Sequence, residues 1–476
     1  MTSADERIAR LEAQVARLLE VVAEKDAVIA RLEARVAELE EKLRQNSGNS
    51  NKPPSSDPPG SGASSGGGGS GKTSGAKRGG QPGHRGNRRN LLPAEAVDDI
   101  VDCFPVACAC CRRRLAQTPD ADALRHQVTE LPPVKPHVTE YRQHAVACRC
   151  GHVTRGPLPG GVTTVPFGPR LIAVVAMLVG VYKLSRRAAQ ALLGEMLGVR
   201  MSLGAISACE KRVSGAIESS DAEAAKRAQQ AAIKHIDATS WRQAGLYMHV
   251  WTLVTAAATV FRITANGTGA TVRTVLGRIK GYLVSDRASA FSFLKMHRRQ
   301  ICWAHLMRKF VAFAERPGDA GRIGRELLDY TTLLFTYWHQ LKKGELSRVR
   351  FRRYMAPIRT RVIELLNDAV SRDIPRMSGS CADMLEHADA LWTFVDVPHI
   401  EPTNNAAERA LRVAVIWRKT SLGTQSERGN RFAERILTVT ATLRQHKRDV
   451  LSYLVDAVAA LMHGQRSPSL FAAHAR

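Results

Sequence analysis

The sequence predicts a multidomain α+β protein, and three observations carry that prediction. Apolar residues recur with a heptad spacing near the N-terminus, which is typical of a coiled coil. Residues 45–92 hold almost no large apolar side chains and therefore lack the material for a core. Runs rich in β-branched residues follow between helical patterns, and 476 residues suffice for three or four domains. We divide the chain into an N-terminal coiled coil (1–44), a flexible basic linker (45–92), a small cysteine-bearing domain (93–165), a helical segment (166–230), an α/β domain (231–425) and a C-terminal helical segment (426–476).

The net charge of +25 is the strongest bulk signal. A chain this basic suits a polyanionic partner, and nucleic acid is the first candidate because Lys and Arg neutralise phosphates without reading sequence. An anionic membrane is the second, but the longest apolar run, 171–182, is too short to span a bilayer. Nine cysteines, four of them in two close pairs, favour a reducing compartment and a metal site over disulfides, and the charged, heptad-patterned N-terminus does not resemble a signal peptide.

The N-terminal heptads predict a zipper. The a positions are Ile8, Val15, Val22, Ile29, Val36 and Leu43, and the d positions are Leu11, Leu18, Lys25, Leu32 and Leu39. β-branched residues at a with leucine at d favour a parallel dimer, so we expect a homo-oligomer. The alternative is one long helix that packs on its own chain.

Two basic stretches are candidates for DNA contacts. The end of the linker mixes glycines with cations, and such a segment can follow a minor groove. Its candidate residues are Lys77, Arg78, Arg85, Arg88 and Arg89. A second set, suited to phosphates near a catalytic centre, comprises Arg412, Arg418 and Lys419. The alternative in each case is a solvated basic surface.

Two close cysteine pairs predict one structural zinc ion. Cys108 and Cys111 form the first pair, and Cys148 and Cys150 form the second. Paired ligands from two separate turns are what tetrahedral zinc requires, so a zinc ribbon fits. Only one residue separates the second pair, which leaves His152 open as a substitute ligand. The alternative is a set of small buried cysteines.

The sequence predicts helices over residues 169–217. An amphipathic helix begins near Ser185 and ends at Gly198, and another begins at Ser202. A helix, a short glycine turn and a capped helix form the helix-turn-helix layout, which can read DNA. Many ordinary helix pairs have the same pattern.

The α/β domain carries two aspartates at strand ends. Asp237 closes a β-rich run, two further strands and a helix follow, and Asp286 closes a short buried strand. Three consecutive strands, a helix and a strand give the order of a ribonuclease-H-like sheet. In that fold the first and fourth strands are neighbours, so the two aspartates can face each other. Either aspartate alone would more often be a cap or a turn residue.

A third carboxylate comes from a late helix. Thr403 or Asn404 can act as the N-cap, which puts Glu408 in the first or second turn. Three carboxylates form an oxygen-only site suited to two Mg²⁺ or Mn²⁺ ions, which clamp an in-line phosphoryl transfer. The alternative is that Glu408 balances the helix dipole and pairs with Arg409 or Arg412.

These pieces resemble the transposases of the insertion sequence 66 family. The similar segments are the zipper, Arg44-Gln-Asn-Ser-Gly-Asn-Ser-Asn-Lys-Pro-Pro-Ser-Ser-Asp57, Gly-Gly-Gln-Pro-Gly-His84, the cysteine pairs, Val284-Ser-Asp286, Cys302-Trp-Ala-His305 and Asn404-Asn405-Ala-Ala-Glu408-Arg409. The resemblance implies a DDE transposase whose metal-binding triad is Asp237, Asp286 and Glu408. It also implies a helical insertion, at about 316–400. Cys302 and His305 alone do not close a metal site, so we expect a packed strand-to-helix junction there.

The sequence leaves three functions open. A transposase would hydrolyse element-end DNA and then join the freed 3′ hydroxyl to target DNA, with companion proteins of the same element as candidate partners. A dimeric DNA-binding regulator would use the zipper, the zinc ribbon and the helix-turn-helix without catalysis. A nuclease or resolvase would use the same core to cleave without joining. Three converging carboxylates favour the enzymes over the regulator.

Overall fold

The computed structural model describes residues 3–46, 48–50, 90–277 and 280–471. Among the predicted DNA contacts, those that lie outside the described residues are Lys77, Arg78, Arg85, Arg88 and Arg89. Within the described ranges, no helix combines the length and the apolar character that a membrane crossing needs.

The N-terminal helix α1 spans Ser3–Arg44, where the heptads predict a helix. Its large apolar side chains are exposed, and those on the predicted seam are Leu11, Val15, Leu18, Val22, Ile29, Leu32, Val36, Leu39 and Leu43. An apolar stripe of this length is stabilised when a second helix covers it. The helix therefore supports the coiled-coil prediction, and the dimer itself stays a prediction.

We expect the triple replacement of Leu11, Leu18 and Leu32 with Gln to convert the protein to a monomer without unfolding the rest of the chain. The change removes three apolar knobs from the predicted seam, while glutamine keeps helix propensity. Sedimentation velocity reports the mass, and the matched control replaces the exposed alanines Ala16 and Ala27 of the same helix with Gln. An unchanged dimer mass in the leucine variant would mean that oligomerisation lies elsewhere.

The segment 90–165 has little regular structure and no buried residue, and all of it is described. Its strands are β1 (Ala145–Ala147) and β2 (Val153–Arg155), which pair antiparallel. A second, minimal hairpin is closed by a bridge between Ala107 and Arg114. A segment without a core of its own needs another source of stability, and a bound metal is the usual one.

A run of helices follows. They are α2 (Pro169–Ala176), α3 (Arg186–Leu197), α4 (Leu203–Ala216) and α5 (Glu218–Gln230). The Ser185 Oγ accepts a hydrogen bond from a backbone N–H at the start of α3, and Ser202 does the same for α4. Gly198 ends α3 with φ of 64°, a left-handed conformation that glycine adopts without strain. The predicted helix–turn–helix layout is confirmed, and DNA reading by it stays a prediction.

A five-stranded mixed sheet forms the centre of the α/β domain. Its elements are β3 (Ile233–Gln243), β4 (Leu246–Val254), β5 (Thr259–Thr264), α6 (Gly269–Leu276), β6 (Tyr282–Ser285) and β7 (Arg299–Ile301). The order across the sheet is β5-β4-β3-β6-β7. β3, β4 and β5 are antiparallel neighbours, whereas β6 is parallel to β3 and β7 is parallel to β6. The first and fourth strands of the sheet are thus neighbours, as predicted.

Helices cover both faces of the sheet. They are α7 (Trp303–Ala314), α8 (Gly318–Lys343), α9 (Arg348–Ser371), α10 (Ser378–Glu386), α11 (Ala388–Leu391), α12 (Thr393–Asp396), α13 (Asn405–Ser421), α14 (Glu427–Gln445) and α15 (Val450–Met462). Leu283 is buried in a core shared with α14 and α15, and its neighbour Val284 is buried in a core shared with α7 to α12. The two cores lie on opposite faces because successive strand residues point to opposite sides.

The residues directly after α1 form a turn that touches the α/β domain. Asn46 Oδ1 accepts hydrogen bonds from the backbone N–H groups of Gly48 and Asn49. Asn49 Nδ2 donates to Glu315 Oε2 over 2.9 Å, next to the end of α7. Asn49 and Ser50 are buried as a result. The sequence predicts a flexible linker from residue 45 and gives no sign of this contact, because Asn49 and Glu315 are 266 residues apart.

Candidate active site

Asp237 and Asp286 occupy level positions on neighbouring parallel strands. His235 of β3 pairs with Val284 of β6, and two further residues along each strand lead to the two aspartates. Residues two apart on a strand share a face, so both aspartates lie on the Val284 face, toward α7 to α12. Asp286 directly follows the last residue of β6, but the prediction that a strand ends at Asp237 is wrong, because β3 continues to Gln243. The register of the two parallel strands is what brings the aspartates level.

Asp237 lies among negative charges, which make the electrostatic potential at its carboxyl negative. Burial raises the pKa of its carboxyl to about 8, and the negative charges of Asp286 and then Glu408 contribute further to that rise. The backbone N–H of Ala238, which donates to Asp237 Oδ1 over 2.8 Å, acts in the opposite direction. A half-buried carboxyl with two carboxylates nearby gains most from a cation.

Asn404 fastens the start of α13 to strand β3. It is fully buried, and its Nδ2 donates to the carbonyl oxygen of Ile236 over 2.7 Å. Ile236 directly precedes Asp237, and the Glu408 backbone N–H donates to the Asn404 carbonyl over 3.2 Å. One helical turn therefore separates the fastening point from Glu408. Asn404 occupies the predicted N-cap position, but its side chain makes no capping hydrogen bond. Its Nδ2 donates to β3, and its buried Oδ1 has no hydrogen-bond partner among the described residues.

Both carboxylate oxygens of Glu408 face α7 and the residue directly before it. Oε1 lies 4.0 Å from Cys302 Sγ and 3.5 Å from His305 Nδ1. Oε2 lies 3.7 Å from an amino nitrogen of Arg308. The alternative of a pair with Arg409 or Arg412 is therefore not what the structure has.

Cys302 sits at a packed junction between β7 and α7. It is fully buried, and its Sγ accepts a hydrogen bond from the Asn404 backbone N–H over 3.1 Å. Burial, with the charge of Glu408, raises the pKa of the Cys302 thiol to about 12. Burial lowers the pKa of His305. The predicted packed junction is confirmed, but the sequence reasoning missed Glu408 as a third neighbour of Cys302 and His305.

Two sets of three potential ligands converge within the described residues. Their ligand atoms lie within 4.8 Å of one another, and the sets are Cys302–His305–Glu408 and Asp383–Glu386–His387. The predicted triad of Asp237, Asp286 and Glu408 is not among them. Asp286 and Glu408 are thus near enough to raise the pKa of Asp237, but the three carboxylates do not converge within 4.8 Å of one another.

A buried cation supports the end of β6. Arg299 is fully buried, and its Nε donates to Ser285 Oγ over 3.2 Å while an amino nitrogen donates to the Asp286 carbonyl over 2.6 Å. Burial lowers the pKa of Arg299 to about 10. Arg287, the residue after Asp286, pairs with Asp383. Neither arginine was a predicted site residue, and no spacing in the sequence points to them.

The predicted DNA contacts on α13 separate into two kinds. Arg412 and Lys419 are exposed. Arg418 is half-buried and donates to Thr239 Oγ1 over 3.0 Å and to the Ser240 carbonyl over 2.9 Å. Its guanidinium therefore braces β3 close to Asp237, a role that the sequence did not indicate.

Each cysteine pair forms its own turn. The Cys108 backbone N–H donates to the Arg113 carbonyl, and the Cys148 N–H donates to the His152 carbonyl. Hydrogen bonds from Cys111 and Cys110 lower the pKa of Cys108, and those from Cys150 lower that of Cys148. Among the described residues the four sulfur atoms do not form a converged set. The donor set of four accessible sulfurs on two turns fits zinc, and the shared site stays a prediction.

We expect the four cysteines to hold one zinc ion. The double replacement Cys108→Ser and Cys148→Ser removes one ligand from each turn, so the purified full-length protein should lose one equivalent of zinc. Elemental mass spectrometry after gel filtration measures the zinc content, and Cys103→Ser is the control because this exposed cysteine lies outside both pairs. Equal zinc content in all three proteins would contradict the zinc ribbon.

The raised pKa of Asp237 predicts a pH-dependent stability without metal. Its pKa is about 8 in the folded protein against an ordinary value of 3.8, so the folded state holds an extra proton between these values. The corresponding stability is fully present below about pH 4 and is lost as the pH rises to about 8. Melting curves in chelator should show this slope in the wild type and a flatter one in Asp237→Asn. Parallel curves for the two proteins would show that Asp237 does not titrate there.

Comparison with known proteins assigns the family. The profile of the Transposase IS66 family matches residues 164–432, and that of a family of unknown function (DUF6444) matches residues 2–90. An uncharacterized protein, y4qI of Sinorhizobium fredii, is 26% identical over 206 residues. The match covers 40% of this chain and 37% of that relative, so the chain spans well under half of the relative's length. Residues 164–432 are more than half of the chain and include Asp237, Asp286 and Glu408, and the chain belongs to the IS66 family of transposases.

Proposed function

We propose that the chain is a DNA transposase that cleaves strands at insertion-sequence ends and joins them to target DNA. Asp237, Asp286 and Glu408 are its proposed catalytic residues. The observation that carries the proposal is the level position of the two aspartates on neighbouring strands, with Glu408 close enough to raise the pKa of Asp237. Family membership supports the same reaction class.

The sheet supports a ribonuclease-H-like core. Three antiparallel strands, the helix α6 and then a strand parallel to the first give the order expected for that fold. The helices α8 to α12 intervene between β7 with α7 and the Glu408 helix α13, which supports a helical insertion in this part of the core. The insertion keeps Glu408 far from the aspartates in sequence and near them in space.

The three carboxylates fit Mg²⁺ or Mn²⁺, since these ions prefer oxygen ligands. When bound, two such ions would stabilise the charge on the attacking and leaving oxygens of a phosphoryl transfer. Asp237 would release its proton as it takes up a ligand role, while Arg299 holds the Asp286 main chain in place. Arg308 sets the resting position of Glu408 through Oε2.

The DNA path is proposed to run along α13. Arg412 is one helical turn after Glu408, and both Arg412 and Lys419 are exposed. Cations there can neutralise phosphates close to the carboxylates. The linker cations, the zinc ribbon and the helices α3 and α4 would add contacts farther from the cleavage point. We propose a homo-oligomer through α1, with companion proteins of the same element as further partners, in the bacterial cytoplasm at the nucleoid.

The decisive experiment incubates the purified protein with labelled element-end DNA and target DNA in Mg²⁺, and scores nicked and joined products separately. Joined products that disappear in chelator and in Asp237→Asn support the proposal. Nicks without joining would replace it with a nuclease. DNA binding without either product, in the presence of the companion proteins, would leave a regulator.

A further inference from the structure

A cluster with different chemistry adjoins the three carboxylates. Cys302, His305 and Glu408 each bring one potential ligand atom to within 4.8 Å of the others. The Sγ of Cys302 lies 4.0 Å and the Nδ1 of His305 lies 3.5 Å from Glu408 Oε1. Magnesium catalysis has no use for a sulfur or an imidazole nitrogen, since Mg²⁺ prefers oxygen. Of these three residues only Glu408 belongs to the proposed triad, so the other two require a separate explanation.

The imidazole of His305 carries an unsatisfied buried atom. Its Nδ1 is buried and has no hydrogen-bond partner among the described residues, although it lies 3.5 Å from Glu408 Oε1. A buried polar atom without a partner costs about 1–3 kcal/mol, so such atoms usually have a ligand or a function. The nitrogen is turned toward the same carboxylate oxygen that Cys302 faces.

The spacing of the three atoms suits a tetrahedral ion. Zinc bonds of about 2.3 Å to sulfur and about 2.0–2.1 Å to nitrogen and oxygen would separate sulfur from oxygen by about 3.5 Å, and nitrogen from oxygen by about 3.4 Å. The observed separations are 4.0 Å and 3.5 Å. A small side-chain adjustment therefore closes the site around zinc, with water as the fourth ligand.

The surroundings also suit a zinc-bound thiolate and carboxylate. The Asn404 backbone N–H already donates to Cys302 Sγ over 3.1 Å, and Cys302 precedes the N-terminus of α7. Arg308 holds the other oxygen of Glu408, which is the kind of outer contact that orients a ligating carboxylate. Zinc would displace the thiol proton on binding.

We propose that Cys302, His305 and Glu408 form a zinc site, and that Zn²⁺ bound there holds Glu408 away from Asp237 and Asp286 and so inhibits DNA cleavage. Nitrogen and sulfur ligands favour zinc over magnesium, so low concentrations of zinc should inhibit cleavage even when Mg²⁺ is in excess. The inhibitory half of this proposal rests on the proposed catalytic function. The binding half rests only on the three converging atoms.

The binding half is tested on full-length protein carrying Cys108→Ser and Cys148→Ser, which removes the predicted ribbon zinc. This background should bind one equivalent of zinc. Cobalt in its place should give the near-ultraviolet charge-transfer band of a thiolate ligand. Adding Cys302→Ala should abolish the band and the remaining equivalent, and His305→Gln, which leaves the cysteine in place, should also lose the equivalent.

The control is Cys209→Ala, another fully buried cysteine, which should change neither signal. Circular dichroism melts show which variants are folded. If Cys302→Ala is unfolded, the zinc content of His305→Gln decides whether the site exists. Retention of zinc and of the cobalt band in a folded His305→Gln protein would overturn the site.

The inhibitory half is tested by titrating zinc into the Mg²⁺ cleavage assay. The cleavage rate of each variant is divided by the rate of the same variant without zinc. The cleavage rate of the background protein should fall at least tenfold at zinc concentrations that fill the site. The rates of the variants that also carry Cys302→Ala or His305→Gln should not fall. Equal zinc sensitivity in proteins that do and do not bind the ion would overturn this half. If no protein cleaves DNA in Mg²⁺, the proposed function and the inhibition fail together, and the stoichiometry still decides the zinc site.

Discussion

Glu408→Gln is expected to lower the rate of DNA cleavage in Mg²⁺ by about 10²-fold to 10³-fold, the size typical of losing one group that stabilises developing charge. Gln keeps the shape of the side chain and its helix propensity. It removes the negative charge, and an amide oxygen is a poorer ligand for a hard dication. Cleavage of labelled element-end DNA under single-turnover conditions measures the effect.

The matched control is Glu427→Gln. Glu427 lies in the first turn of α14, as Glu408 does in α13, but it is exposed and pairs with Arg431. The Glu427→Gln variant should cleave DNA at the wild-type rate. Both variants should bind DNA normally, because phosphate contacts come from Lys and Arg. Wild-type cleavage by Glu408→Gln would remove Glu408 from the proposed triad.

Stability should change little in Glu408→Gln. The ion pair with Arg308 joins two side chains that are about a quarter exposed, and such a pair contributes about 0–1 kcal/mol. Its loss is offset because one of three clustered negative charges disappears, which should also lower the pKa of Asp237. A melting temperature within a few degrees of the wild type would separate a catalytic defect from unfolding.

Asn404→Ala is expected to reduce cleavage by about 10-fold to 100-fold through misplacement of Glu408, as small positional errors do in catalysis. It removes the hydrogen bond that fastens α13 to β3 and leaves the buried Ile236 carbonyl without this donor, at a cost of about 1–3 kcal/mol in the free energy of unfolding. The Mg²⁺ concentration for half-maximal cleavage should rise, which a purely structural defect would not cause.

Two further variants sharpen this test. Asn404→Leu keeps a side chain of similar size but has no N–H donor and adds no charge, so it should behave like Asn404→Ala. Asn405→Ala changes the neighbouring residue, which is exposed, and should leave both cleavage and Mg²⁺ dependence unchanged. Full activity in Asn404→Leu would show that the Nδ2 contact with Ile236 does not position Glu408.

The elements that depend on local pattern were predictable from the sequence. The heptads of α1, the serine caps of α3 and α4 and the glycine between them are decided by residues within a few positions of one another. The end of β6 at Asp286 was also visible, because a short β-rich run stops there. The end predicted at Asp237 was wrong, because β3 continues to Gln243. Together with the resemblance, these features indicated the sheet order, in which the first and fourth strands are neighbours.

Only the tertiary structure decided which side chains meet around Glu408. Cys302 and Glu408 are 106 residues apart, and Asn404 reaches a carbonyl 168 residues earlier in the chain. Arg299 and Arg418 likewise look like ordinary surface cations in the sequence, yet one is fully buried behind Asp286 and the other braces β3. The physical reason is that spacing along the chain determines which face of a helix or strand a residue occupies. Which distant face it then meets depends on how the sheet and the two helical layers pack against each other, and no local pattern records that.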